Sequence, residues 1–176
     1  MSATEQSSTL NGLQEAVQME IDGKAFYLKA SKASTNPLGT KLLQRLAEEE
    51  DIHRQRFEKI YKAIQAKKRW PDVAFTPDAG KTLKTIFAAE ASKRGPKGLK
   101  TELGAVQTAV KMEAKSIDLY KAGSKSATNA AEKEFYDAVT REEQYHHSTL
   151  LNYYEFLKDP GAWFVKAEHP SMDGGA

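Results

Sequence analysis

The chain contains no cysteine. This absence excludes disulfides, iron–sulfur clusters, zinc ribbons and cysteine nucleophiles. The 26 lysines and arginines nearly balance 24 aspartates and glutamates, so the net charge of +2 offers no basic footprint for nucleic acid. No apolar run approaches the roughly 18 residues of a membrane span, and the start, MSATEQSSTL, lacks the segments of a signal peptide. We therefore expect a cytoplasmic protein that binds neither nucleic acid nor membrane.

The sequence repeats itself at an offset of 93 residues. Glu50 and His53 form an E-x-x-H pair, and Glu143 and His146 form the same pair 93 positions later. Residues 19–53 align with residues 112–146 without a gap, and 10 of these 35 positions are identical, whereas chance gives about two. Because 176 residues suit one domain, the repeat indicates one domain built from two similar halves.

Each half carries residues at helical spacing. Leu46, Glu50, His53 and Phe57 follow one another at intervals of four, three and four residues. The same pattern predicts helices over about 8–33, 37–67, 101–125 and 130–157, and a short helix over about 81–92. We expect an all-α four-helix bundle over residues 1–160, followed by a tail over 161–176. Its two antiparallel hairpins, 8–67 and 101–157, are joined by a long crossover over 68–100.

Six polar residues interrupt the apolar stripes of these helices: Glu20, Glu50, His53, Glu113, Glu143 and His146. Burying an unpaired carboxylate costs several kcal/mol, and no lysine or arginine lies on the stripes to compensate. Two divalent cations would neutralise four carboxylates. A glutamate from each of two helices plus Glu-x-x-His from the other two is the ligand set of di-iron and di-manganese carboxylate bundles. The six are therefore predicted metal ligands, with no catalytic group beyond the cluster, and their oxygen and imidazole donors suit iron or manganese.

Other polar residues near the stripes allow two interpretations. Tyr27 and Tyr120 each follow a stripe glutamate by seven residues, so they either pack in the core or hydrogen-bond to the cluster. Four residues fall off the stripes and are expected at the surface or in support of the ligands: Glu48, Glu49, Glu142 and His147.

The motifs MEIDGKAFY, LAEEEDIH, MEAKSIDLY and REEQYHH resemble the rubrerythrin-like branch of the ferritin-like superfamily over about residues 10–158. The resemblance implies a ferritin-like bundle with two iron ions, bridged by Glu50 and Glu143. Two features depart from rubrerythrin itself. The cysteines of a rubredoxin domain are missing, and Ser116, mirrored by Gly23, stands where rubrerythrin has a further carboxylate.

We expect, from this resemblance, a di-iron oxidoreductase that reduces hydrogen peroxide or O₂ in oxidative-stress defence. Because the chain lacks cysteine, its electrons would come from an external donor such as a separate rubredoxin-type protein. A homodimer is expected. Three alternatives stay open: a ferroxidase or iron-handling ferritin-like protein, a di-manganese catalase-like site, and a bundle that uses its metals only for stability.

Overall fold

The computed structural model describes residues 3–67, 69–71, 78, 80–91 and 99–168. The long helices in these ranges are α1 (Ala3–Ala33), α2 (Pro37–Lys67), α4 (Lys100–Ser126) and α5 (Ala130–Lys158), and the short ones are α3 (Lys81–Ala91) and α6 (Pro160–Glu168). None of the described residues belongs to a β-strand. The prediction of an all-α bundle is therefore confirmed. No helix within the described ranges is long and apolar enough to cross a bilayer.

Local side-chain bonds explain where the second helix of each hairpin begins. Asn36 Oδ1 accepts the backbone N–H of Leu38 at 2.9 Å, and Pro37 occupies the first helical position, where its missing N–H costs nothing. Asn129 Oδ1 accepts the backbone N–H of Glu132 at 2.9 Å, and the Glu132 carboxylate accepts back from the N–H of Thr128. Both starts were predicted from the sequence.

The two hairpins repeat one another in detail. α1 packs along α2, and α4 packs along α5. Gln14 Nε2 donates to the hydroxyl of Tyr61 in the first hairpin, and Gln107 Nε2 donates to the hydroxyl of Tyr154 in the second. Each residue of the second hydrogen bond lies 93 positions after its counterpart in the first. Contacts of α1 with α4, and of α2 with α5, join the hairpins into one bundle.

Two apolar clusters fill the bundle, one towards each end. The first includes Leu42, Leu46, Val106, Leu150 and Tyr153, and the second includes Leu13, Phe57, Ile60, Tyr120 and Val139. Along each long helix, the stripe glutamates and histidines fall between the residues of these two clusters. The apolar layers stabilise the bundle by removing large side chains from water, and they hold a polar layer between them.

The segment after α5 differs from the sequence prediction. The last long helix was predicted over about 130–157 and ends at Lys158, but within the expected tail a further helix, α6, begins at Pro160. Asp159 Oδ1 accepts the N–H groups of Gly161 and Ala162, which supplies the cap of this helix. Trp163 of α6 then packs on Phe87 of α3, with ring centroids 5.2 Å apart. A nine-residue helix is too short to show a periodic pattern, and its packing partner is distant in sequence.

Candidate metal centre

Six polar side chains meet in the layer between the two apolar clusters. α1 and α4 supply one glutamate each, and α2 and α5 each supply a glutamate and a histidine three residues apart. The six are Glu20, Glu50, His53, Glu113, Glu143 and His146, and each is at most 5% exposed. Residues three apart on a helix leave nearly the same face, which is why each Glu-x-x-His pair points to one place.

These side chains form two groups that share two carboxylates. One group is Glu20, Glu50, His53 and Glu143, and the other is Glu50, Glu113, Glu143 and His146. Within a group, one ligand atom of every residue lies within 4.8 Å of the others. Glu50 and Glu143 belong to both groups. The arrangement therefore offers two adjacent places for a cation with two carboxylates between them.

The two histidines present the same ring nitrogen to the cluster. His53 Nδ1 lies 2.9 Å from Glu143 Oε1 and 3.7 Å from Glu20 Oε2. His146 Nδ1 lies 3.3 Å from Glu50 Oε1 and 3.3 Å from Glu143 Oε2. The imidazole rings are stacked, with centroids 5.7 Å apart and planes inclined by 18°.

Several atoms of the cluster are buried without a hydrogen bond, and they test whether a metal fits. They are Glu20 Oε2, Glu50 Oε1, Glu143 Oε2 and His146 Nδ1. Leaving a buried polar atom unsatisfied costs about 1–3 kcal/mol, so four at one level require compensation. Two divalent cations would be ligated by these atoms and would balance four carboxylates. Oxygen and imidazole donors without a thiolate suit iron or manganese, so the residues fit the metals.

Burial and crowding shift the pKa values of these groups in opposite directions. Burial, with the neighbouring charges of Glu20 and Glu143, raises the pKa of Glu50 well above its usual value. Burial opposes the charge of Glu143 too, but the facing imidazoles outweigh it and hold the pKa of Glu143 well below its usual value. Burial alone would lower the pKa of His53, yet the Glu143 carboxylate raises it to about 10. At neutral pH the metal-free cluster therefore holds a proton on His53.

Metal affinity is expected to rise with pH from about pH 6 to about pH 9. The imidazole of His53 must be neutral to bind a metal, and its pKa of about 10 means that it is protonated below that pH when no metal is bound. At least one proton therefore leaves, and the affinity should increase at least about tenfold per pH unit. Competition titration with a chelator of known pH-dependent affinity measures this. A constant affinity over the range would contradict the proton release.

Two tyrosines form hydrogen bonds across the bundle to Glu20 and Glu113, the outer carboxylates, which each belong to only one of the two groups. The hydroxyl of Tyr27 on α1 donates to Glu113 Oε1 on α4, and the hydroxyl of Tyr120 on α4 donates to Glu20 Oε1 on α1. The two bonds are related by the 93-residue offset. Burial, followed by the charges of nearby carboxylates, raises the pKa of both hydroxyls, so both stay donors. Both rings also pack in the apolar clusters.

Glu49 holds His146 from the side away from the cluster. It is 3% exposed, and its Oε2 lies 2.7 Å from His146 Nε2 while its Oε1 accepts from Arg45 Nε at 2.7 Å. The carboxylate favours a proton on Nε2 and leaves Nδ1 available to bind a metal. Glu49, Glu142 and His146 could also surround a cation through Nε2, but both oxygens of Glu49 are already bonded to His146 and Arg45.

Of the two positions expected for Glu49 and Glu142, the structure excludes the surface, because both are buried, and Glu49 takes the other by supporting His146. Burial lowers the pKa of the Arg56 guanidinium, and the negative charge of the nearby Glu142 offsets part of this lowering. Glu48, in contrast, is exposed, and His147 is half-buried. One feature of the sequence distinguishes Glu49 and Glu142 from Glu48 and His147. Glu49 and Glu142 are related to each other by the 93-residue offset that also relates the candidate ligands.

Replacing Glu49 with alanine is expected to weaken the binding of one ion about 10–100-fold, because the orienting partner of a ligand histidine contributes about that much to affinity. The second ion, next to His53, should bind almost as before. Titration with Co²⁺, followed by its ligand-field absorption, resolves the two affinities. Glu48→Ala on the same helix removes an exposed carboxylate paired with the same arginine, and it is the matched control. Equal losses in the two variants would contradict the role of Glu49.

A cavity of about 420 Å³ reaches the cluster between α1 and α4. Glu50 and Glu113 line its inner part, and Gly23 and Ser116 lie beside them. A Cβ atom at position 23 would lie 3.3 Å from Glu50 Oε2, so the glycine leaves that carboxylate space. Gly23 and Ser116, which occupy equivalent positions in the repeat, thus border open volume next to the candidate ligands, and this volume can hold a small molecule.

Comparison with protein families identifies the chain. The family model of rubrerythrin matches residues 11–154, which include all six cluster residues. The chain belongs to the rubrerythrin family. This rubrerythrin-family membership confirms the resemblance seen in the motifs and the ferritin-like assignment of the bundle. Comparisons with curated proteins and with solved structures found no significant match. Family membership and the buried glutamates and histidines together indicate a metal-binding site.

Proposed function

We propose that this rubrerythrin-family protein is a di-iron oxidoreductase that reduces hydrogen peroxide or O₂. The observation that carries the proposal is the convergence of two ligand groups on shared Glu50 and Glu143, beside a cavity open to a small molecule. Two ferrous ions, when bound, supply the two electrons that convert peroxide and two protons into two water molecules. The absence of thiolate ligands and the oxygen-rich donor set favour iron or manganese over zinc, and family membership favours iron.

The protein's own residues fix the geometry of this reaction. Tyr27 and Tyr120 hold the outer carboxylates Glu113 and Glu20 by hydrogen bonds from opposite helices. Glu49 holds the proton of His146 on Nε2. The apolar clusters on both sides keep bulk water from the ligands along the bundle axis, so access is directed to the cavity between α1 and α4. Preorganised ligands of this kind need little rearrangement when charge develops.

The electrons are proposed to come from a separate protein of the rubredoxin type. These 176 residues contain no cysteine, so they hold no thiolate-ligated iron that could relay electrons to the cluster. The homodimer expected from the sequence stays a prediction.

Oxidation of ferrous iron as a substrate is the second candidate function. It is favoured by the carboxylates of Glu15 and Asp22, which line the outer part of the cavity and would attract a cation. The two functions differ in whether iron is the cofactor or the substrate.

Rapid-mixing kinetics separate the two functions. Metal-free protein is loaded anaerobically with two Fe²⁺ per chain and mixed with H₂O₂ or with O₂, and the absorbance of the oxidised cluster is followed. The proposal expects faster oxidation by H₂O₂ and no further turnover when excess Fe²⁺ is added without an electron donor. Faster oxidation by O₂, with continuous consumption of the excess Fe²⁺, would favour the second function.

A further inference from the structure

The cavity between α1 and α4 connects exposed residues with buried ligands. Its outer wall includes the exposed side chains of Glu15, Asp22 and Lys115, and its inner wall includes the buried carboxylates of Glu50 and Glu113. Glu50 is 5% exposed, and Gly23 leaves open space beside its Oε2 atom. A small solute in this cavity can therefore approach the side chain of a candidate ligand from the surface.

Charge is distributed unevenly along this cavity. α1 contributes two carboxylates to its mouth, Glu15 and Asp22, whereas the positions 93 residues later on α4 are Thr108 and Lys115. Within the described part of the chain, neither Glu15 nor Asp22 forms an ion pair, and Asp22 accepts a hydrogen bond from the neutral Gln18. Their charges are therefore not neutralised by a bonded partner, and the mouth carries a net negative charge.

The opposite side of the cluster holds paired charges. Arg45 of α2 bonds to Glu49 behind His146 and to Glu48, and Arg56 of the same helix lies near Glu142. Each of these carboxylates therefore has a guanidinium group beside it, whereas Glu15 and Asp22 at the mouth have none among the described residues. The unpaired carboxylates at the mouth attract an approaching cation to that face.

We infer that divalent metal ions load into the cluster through the cavity between α1 and α4, attracted by Glu15 and Asp22 at its mouth and by Glu50 at its inner end. This inference rests on the proposed function, since it concerns how the metals of that site arrive. Hydrogen peroxide and O₂ are uncharged, so the same carboxylates should not affect their passage. If the cavity is a route for cations, substitution of these carboxylates should slow the entry of metal ions and not the entry of uncharged molecules. If it is only a general opening, neither rate should change.

The test measures the rate of metal loading rather than enzymatic turnover. Full-length metal-free protein is mixed with Co²⁺ alone, and the growth of the Co²⁺ ligand-field absorption is followed at low and at high salt. Electrostatic attraction at a charged cleft raises association rates by about tenfold or more, and its range shrinks to about 10 Å at 0.1 M salt. Glu15→Gln combined with Asp22→Asn should slow loading about threefold to tenfold at low salt, while Lys115→Gln should accelerate it.

The matched control removes the same charge elsewhere. Glu134 and Glu155 are exposed on α5 and do not line the cavity, so Glu134→Gln combined with Glu155→Gln should leave the loading rate almost unchanged. The final Co²⁺ stoichiometry should be two in every variant, and the rate at which H₂O₂ oxidises iron-loaded protein should not change. Equal slowing in the control, or an unchanged rate without Glu15 and Asp22, would overturn the loading route. A stoichiometry below two in the unsubstituted protein would instead contradict the dinuclear site.

Discussion

Removing the metals is expected to lower the thermal unfolding midpoint of the protein by roughly 8–16 °C. Free metal at about 1,000 times its dissociation constant adds about 4 kcal/mol to the native state, and about 1 kcal/mol shifts the midpoint of a chain of this size by roughly 2–4 °C. The physical reason is the polar layer, where the carboxylates of Glu20, Glu50, Glu113 and Glu143 are buried side by side. Differential scanning calorimetry of loaded and chelator-treated protein measures the shift.

The chelator needs its own control. Adding it to protein that has never been loaded should leave the midpoint unchanged, which separates metal removal from a direct effect of the chelator. Returning Fe²⁺ or Mn²⁺ anaerobically should restore the higher midpoint. A midpoint that stays the same after complete metal removal would contradict a buried site that binds metal in the native state.

Glu143→Gln is expected to lose both metal ions, with each affinity falling by more than about 100-fold. Residues that merely orient a ligand contribute about 10–100-fold to affinity, and Glu143 is itself a member of both ligand groups. The substitution keeps the size of the side chain but removes its charge, so loss of binding reports the carboxylate. Equilibrium dialysis with Co²⁺, followed by metal analysis, gives the number of ions bound per chain.

The internal repeat supplies matched comparisons for this variant. Glu50→Gln should behave as Glu143→Gln does, because Glu50 also belongs to both groups. Glu20→Gln changes a residue of one group only, so it should weaken one ion and keep the other. If Glu20→Gln and Glu143→Gln lost the same number of ions, the shared position of Glu143 would be wrong.

The helices could be read from the sequence because their causes are local. Apolar spacing along Leu46, Glu50, His53 and Phe57 marks one face of α2, and Asn36 with Pro37 marks its beginning. The candidate ligands could be found for a related reason. A charged residue on a buried stripe conflicts with its surroundings, and the 93-residue offset showed that the conflict occurs at matching positions in both halves.

The supporting groups could be named in this way only as one of two alternatives. Glu49 and Glu48 are neighbours on α2 and look alike in the sequence, but Glu49 bonds to His146 of α5 while Glu48 is exposed. Only the packing of α2 against α5 distinguishes them. Helix α6 was missed for a similar reason, since Trp163 packs on Phe87, a residue far away in the sequence.

The sequence by itself determined the class of fold, the two-hairpin repeat and six residues that could bind metal, because helical periodicity and buried charge leave marks within a few turns of one helix. The tertiary structure decided which carboxylates are shared, that Tyr27 and Tyr120 bond across the bundle rather than within their own hairpins, and that a cavity lined by Glu15, Asp22 and Ser116 reaches the cluster. These features depend on how separate helices are placed against one another. Such placement is set by packing over the whole bundle.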